Sequence, residues 1–180
     1  RGEEEAQRAE QALQESGADW TIVRASWFAQ NFSENFLLQA VLEGAVVLPV
    51  GQVREPFVDA EDIADVVAAA FSDDRHIGQL YELTGPRLIS FAEATREVAA
   101  ACGRDITFRS IPLADYMMAM SAMGLEKAYR DLIEYLFATV LDGRNEYVTD
   151  GVMRALGRPA ADFSQYTSST AASGAWMPFP

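Results

Sequence analysis

Two short runs of β-branched and aromatic residues, WTIVR at 20–24 and QLYELT at 79–84, are separated by stretches that carry apolar residues at helical spacing. This alternation limits the fold more than any other feature of the sequence. Strands separated by helices mean a parallel or mixed sheet covered by helices, so the fold class is α/β. Residues 4–15 place Ala6, Ala9 and Leu13 on helical spacing. Acids in the first turns suit the positive end of the helix dipole, and Gly17 closes the helix. A second helix is expected over 33–43, with Phe36, Leu37, Ala40 and Val41 on one side and Gly44 at its end. Residues 46–50 and 56–58 read as extended. Asp59 or Asp62 then caps a helix whose stripe is Ile63, Val66, Val67, Ala70 and Phe71. Ser90-x-x-Glu93 is a capping box opening a helix through Cys102, closed by Gly103, and 106–111 alternates like a strand. Beyond Pro112 the pattern is helical: 113–123, then 125–141, a short helix capped by Asp150 and ending at Gly157, and a last one over 162–172. The predicted organisation is an α/β unit over 1–111 with a small, mostly helical cap over 112–180, interleaved with it.

Composition removes several functional classes. A chain of 180 residues buries roughly 70% of the surface its unfolded form exposes, so neither disulfides nor a metal is needed for stability. The 14 Lys and Arg against 27 Asp and Glu give a net charge of −13, and the single lysine is Lys127. A duplex-binding protein needs clustered cations to displace counterions from phosphates, so nucleic acid is not an expected partner. One cysteine, Cys102, cannot make an internal disulfide or a cysteine-based metal site, and a reducing cytoplasm is the expected location. No apolar run approaches the roughly 18 residues of a membrane helix, so no membrane association is expected.

Most motifs that carry chemistry are absent from the sequence. None of the twelve glycines forms G-x-G-x-x-G, G-x-x-G-x-x-G or a Walker loop. No tyrosine has a lysine four residues on, and there is no G-x-S-x-G. The only histidine, His76, lies in DDRHIG and reads as a surface residue of a polar turn. Asp59, Glu61, Asp62 and Asp65 are either a cation or acid–base cluster or, more simply, acids favoured at a helix start; no metal is expected. Met117, Met118, Met120 and Met123 either line an adaptable pocket or pack in the core. No catalytic residue is identified.

The segment from Glu10 to Phe32, EQALQESGADWTIVRASWFAQNF, resembles the NmrA-like family of atypical short-chain dehydrogenase/reductases, in which a helix ending E-x-x-L-x-x-S-G leads to W-T-I-L-R-P-x-x-F-x-x-N. PFVDAEDIAD at 56–65, YELTGP at 81–86 with Ser90-Phe91-x-Glu93, Gly103-Arg104 with Ile106 and Phe108, and the tail DFSQYTSSTAASGAW are similar to further family segments and come in the family's order. The resemblance covers nearly the whole chain.

It implies the carboxyl-terminal part of a Rossmann-like NAD(P)-binding fold, with the amino-terminal strands and the Gly-rich phosphate-binding loop missing from this chain. The edge beside the Trp20–Arg24 strand would then be unpaired, which invites homo-oligomerisation or chain exchange there. The cofactor implied is NADP or NAD. Ala25, Ser26, Trp27 and Phe28, at the carboxyl end of that strand, would bind it. Phe28 and Asn31, with Met117 and Met120 from the cap, would line the substrate pocket. Ala25 stands where the family usually has proline. Strand–helix packing is the alternative role for Trp27, Phe28 and Phe32, and helix capping for Asn31. Arg24 reads as a structural partner at the strand end. Two functions fit: an NAD(P)H-dependent reductase of a quinone or similar small unsaturated substrate, and a non-catalytic regulator that senses dinucleotide and acts through a protein partner.

Overall fold

In the computed structural model, which describes residues 4–177, the elements follow the predicted alternation. They are α1 (Glu4–Glu15), β1 (Thr21–Ala25), α2 (Leu38–Glu43), β2 (Ala45–Leu48), β3 (Arg54–Glu55), α3 (Ala60–Ser72), β4 (Gln79–Leu83), β5 (Ile89–Ser90), α4 (Phe91–Cys102), β6 (Thr107–Ser110), α5 (Leu113–Ala122), α6 (Lys127–Tyr135), α7 (Gly151–Leu156) and α8 (Phe163–Ser173). A π turn over Leu136–Val140 extends α6. The strands pair in twos: β1 with β4 in parallel from Thr21↔Gln79 to Ala25↔Leu83, β2 with β6 in parallel, and β3 with β5 antiparallel. A single parallel bridge, Phe28↔Val58, ties the chain after β1 to the chain after β3. No helix among the described residues is long and apolar enough to cross a membrane.

Local signals are realised where they are local in origin. Asp59 caps α3 by accepting from the Glu61 N–H at 3.0 Å. The Ser90–Glu93 capping box forms in both directions, and Gly103 ends α4 in the left-handed region at φ 66°. A second capping box, Asp162 with Gln165, opens α8.

Three expectations are corrected. The helix over 33–43 shrinks to α2, preceded by a 3₁₀ turn at Ala29–Phe32, because polar groups in its first half are used elsewhere. Asn35 Oδ1 accepts from the Phe36 N–H at 2.8 Å, and the Ser33 hydroxyl accepts from Tyr166 Oη at 2.8 Å, so side chains replace the helical pattern. In α3, Val66 is buried but Val67 and Phe71 are exposed; they lie about 100° and about 140° round the helix from Val66, past the buried face. His76 is not a surface residue. It is 1% exposed, its Nε2 accepts from Arg75 Nε at 3.2 Å and its Nδ1 lies 2.8 Å from Tyr81 Oη, so the adjacent residue and a tyrosine five positions on in β4 supply what a buried imidazole needs.

One aromatic core joins the α/β part to the carboxyl-terminal helices. Phe57 packs at centroid distances of 5.1 Å from Phe91, 5.7 Å from Phe32 and 5.4 Å from Phe163, in edge or tilted arrangements. Trp176, fully buried, donates its indole N–H to the Phe32 carbonyl at 2.8 Å. A smaller cluster of Val58, Val66, Tyr81, Leu83, Val152 and Ala155 seats α7 against β4 and α3.

Candidate functional site

Strand β1 ends at Ala25, and the next six residues are held from both sides. The Ser26 N–H continues the ladder to Leu83 O at 3.0 Å, while its hydroxyl donates to Pro56 O at 2.6 Å. The same carbonyl accepts from the Gly85 N–H at 2.9 Å. A Cβ at Gly85 would collide with the Phe57 carbonyl, so the approach of these strands requires glycine there. Val58 then bonds in both directions, its N–H to Trp27 O at 2.9 Å and its carbonyl to the Ala29 N–H at 2.8 Å. Gln30 closes the turn: Nε2 donates to Asp59 Oδ1 at 2.7 Å and Oε1 accepts from the Ala60 N–H at 2.9 Å. The N–H groups of Trp27 and Phe28 have no acceptor among the described residues.

The predicted site residues fall on this turn and beside it. Ala25 is exposed, Ser26 and Trp27 are half-buried, and Phe28 is 43% exposed, a large aromatic surface at the carboxyl end of a parallel strand. Trp27 packs edge-on against Phe91 at 5.7 Å and lies 6.3 Å from Phe137, whose ring meets Tyr116 of α5 at 5.5 Å. The turn and α5 are thus joined through aromatic contacts. On α5, Met120 is buried in the core, Met117 lies at its margin, and Met118 and Met123 are exposed. Asn31 is half-buried; its backbone accepts from the Leu37 N–H, and its side chain caps no helix.

Charged groups around the turn divide into paired and unpaired. Arg24 donates to Glu10 at 2.9 Å and to Glu82 at 3.1 Å. Hydrogen bonding to Glu10, opposed by some desolvation, holds the guanidinium further above its usual range and draws the Glu10 carboxyl below its own. Asp62, 1% exposed, is satisfied by Arg158 Nη1 at 2.6 Å and the Ala161 N–H at 2.7 Å, and Asp65 takes the other arm of Arg158. The acids of the α3 start therefore serve as cap and ion-pair partners. Glu55 is different. It is fully buried one residue before Pro56, neither carboxylate oxygen has a hydrogen-bond partner among the described residues, and burial with the nearby Glu146 charge pushes it up to about 8.

Sequence reasoning missed Gln30 and Glu55. Gln30 looked like any polar residue of a turn, since its partners lie about thirty residues on. Glu55 carried one signal, an acid placed directly before the apolar run Pro56-Phe57-Val58.

No family model matches the chain. The NAD(P)H azoreductase of Xenophilus azovorans is 34% identical over 164 residues, covering 91% of this chain and 57% of that protein. Among solved structures, the NADPH complex of an Escherichia coli NADPH-dependent quinone oxidoreductase superposes with a TM-score of 0.75 at 23% identity, over 89% of this chain and 56% of the other. NmrA, a negative transcriptional regulator in complex with NAD, superposes with a TM-score of 0.57 at 16% identity, over 92% of this chain and 58% of the other. The chain belongs to the NmrA-like family of atypical short-chain dehydrogenase/reductases. The two structural likenesses are likenesses of fold, an α/β Rossmann-like one. This NmrA-like chain spans a little over half the length of the relatives it matches and aligns with roughly their later half.

Proposed function

We propose that the NmrA-like protein to which this chain contributes is an NAD(P)H-dependent reductase of a small, flat, unsaturated acceptor such as a quinone or an azo compound. The observation that carries this reading is the exposed Phe28 ring beside the unpaired Trp27 and Phe28 N–H groups, at the strand end where doubly wound sheets bind ligands. The donor set suits a nicotinamide: two free amides match a carboxamide oxygen, and an aromatic face matches a planar ring. When bound, the cofactor supplies hydride. The chain's own contribution is to orient and to exclude water. Ser26 and Gln30 fix the turn, Trp27 anchors it to the aromatic core, and Phe28 walls one side of the acceptor's place. The azoreductase is a reductase by name, and its similarity to this chain supports the same class of chemistry.

The test is to mix full-length protein with NADPH and a panel of quinones and azo dyes, following loss of nicotinamide absorbance. Turnover with at least one acceptor is expected, with kcat/KM falling roughly tenfold in Phe28→Ala. Tight dinucleotide binding without turnover on any acceptor would instead favour a sensor that reports redox state to a protein partner.

A further inference from the structure

The amino-terminal end of β4 carries a second cleft, at the opposite end of the strand pair from the turn after β1. It encloses about 310 Å³ and is lined by Arg75, Gln79, Tyr81 and Arg154. Because β1 and β4 run parallel and in register over five residues, roughly 15 Å of strand separates it from Ala25. In a chain of net charge −13, a cleft with two guanidinium groups and no carboxylate in its lining is an exception.

We propose that this cleft binds a phosphate group, either as the free ion or as the terminal group of a small phosphate ester. Arg154 has no carboxylate within ion-pair distance among the described residues. Its contacts are long bonds of 3.4 Å to Leu80 O and Gln79 Oε1, and its guanidinium lies 5.2 Å over the Tyr81 ring. That stacking orients the fork while leaving N–H groups unused. Arg75 is held through two of its nitrogens: Nε donates to His76 Nε2 at 3.2 Å and lies 3.2 Å from Asp73 Oδ2, and Nη2 donates to Ala155 O at 3.2 Å. Its Nη1 has no partner among the described residues.

The neighbours of the two arginines are set as donors as well. With His76 Nε2 accepting from Arg75, Nδ1 is the ring's donor, and it gives its proton to Tyr81 Oη. The tyrosine hydrogen is then free to be donated. Gln79 uses its Oε1 on Arg154, so its amide N–H groups are the part left to bind. Donors from four side chains, with Asp73 the one carboxylate paired to any of them among the described residues, fit a tetrahedral oxyanion with three or more acceptor oxygens, and they fit a planar carboxylate, which offers two, less well.

The experiment is calorimetric titration of the full-length protein, using three probes at constant ionic strength: inorganic phosphate, glucose 6-phosphate and citrate. Saturable binding of phosphate or the sugar phosphate is expected, the tighter of the two naming the source. Affinity should fall at least tenfold in Arg154→Gln, and Arg154→Lys should recover only part of it, because the ammonium keeps the charge and loses the fork. Binding that never saturates, binding equal in Arg154→Gln, or a preference for citrate over both phosphates would overturn the proposal. The result is independent of reductase activity, which is read at the other end of the strands.

Discussion

Glu55 is the residue whose chemistry the fold satisfies least. Among the described residues its carboxyl is fully buried with both oxygens unpartnered, and the charged neighbour that shifts it is another acid, Glu146, whose Oε1 accepts from the Arg54 N–H at 3.1 Å. Burial first, and the Glu146 charge second, raise it from 4.5 to about 8. A carboxyl raised in the folded state binds its proton more tightly there than in the unfolded chain. Its penalty is therefore absent below pH 4.5, grows as pH rises, and is complete once pH passes 8. Between those limits stability falls by up to about 1.4 kcal/mol per pH unit from this group alone. Urea denaturation across that window should show the slope in the wild type and lose it in Glu55→Gln. A wild-type stability that is flat over the window would mean that the carboxyl reaches water or a partner. The opposite sign belongs to Glu10, Glu93 and Asp162. Hydrogen bonds from Arg24, from the Ser90 backbone and from Arg87, respectively, are the main cause that lowers each of them, so their stabilisation is lost in acid, below the window that Glu55 controls.

At the scale of elements, α8 and α7 show how the carboxyl-terminal helices are fastened to the rest. Asp162 does two jobs: it caps α8 through the Ser164 N–H at 2.9 Å, and it takes Arg87 at 2.7 and 2.9 Å while Arg87 also reaches Glu97 of α4. Asp162→Ala should cost about 1–2 kcal/mol, combining a lost cap with a partly exposed ion pair. Asp162→Asn should recover the cap share, and both are measured as shifts in urea midpoint. Helix α7 begins at Gly151, packed so closely on β4 that a Cβ would strike the Glu82 carbonyl, and Thr149 anchors the approach by donating to that same oxygen. Gly151→Ala should cost about 3 kcal/mol, since backbone rather than a flexible side chain must yield. These elements also mark what the sequence could show. Ser90–Glu93 and Asp162–Gln165 are contained in four residues each, and the run Thr21–Ala25 declares a strand by composition, so all were legible or nearly so. The shortening of α2 was not. It depends on Tyr166, 133 positions from Ser33, and on Trp176, 144 positions from Phe32. The candidate site divides in the same way: the turn at 25–28 was singled out through the family resemblance of the segment around it, while Gln30, Glu55 and the burial of His76 depend on partners that only folding brings near.

For the whole molecule, the decisive asymmetry is that one side of the β1–β4 pair is open. Strand β1 pairs only with β4 among the described residues. The Ser26 N–H bonds to Leu83, so alternation along the strand turns the backbone groups of Thr21, Val23 and Ala25 to the other side. Helix α1 does not cover the gap with a packed face. None of its residues is buried, Leu13 is 39% exposed, and an ion pair from Arg24 to Glu10 links it to β1. An unpaired parallel-sheet edge beside exposed apolar residues favours strand addition by a second copy, whereas a net charge of −13 opposes any close approach of two such chains. Raising ionic strength shortens the reach of the repulsion, to roughly 3 Å at 1 M, and leaves the backbone pairing nearly untouched. Sedimentation velocity on this chain should therefore show self-association that rises with both concentration and salt. Ala25→Pro, which removes an N–H from the open side without touching the β4 ladder, should reduce it. A single monomeric boundary at every concentration and salt level would show that the edge is protected by something other than charge.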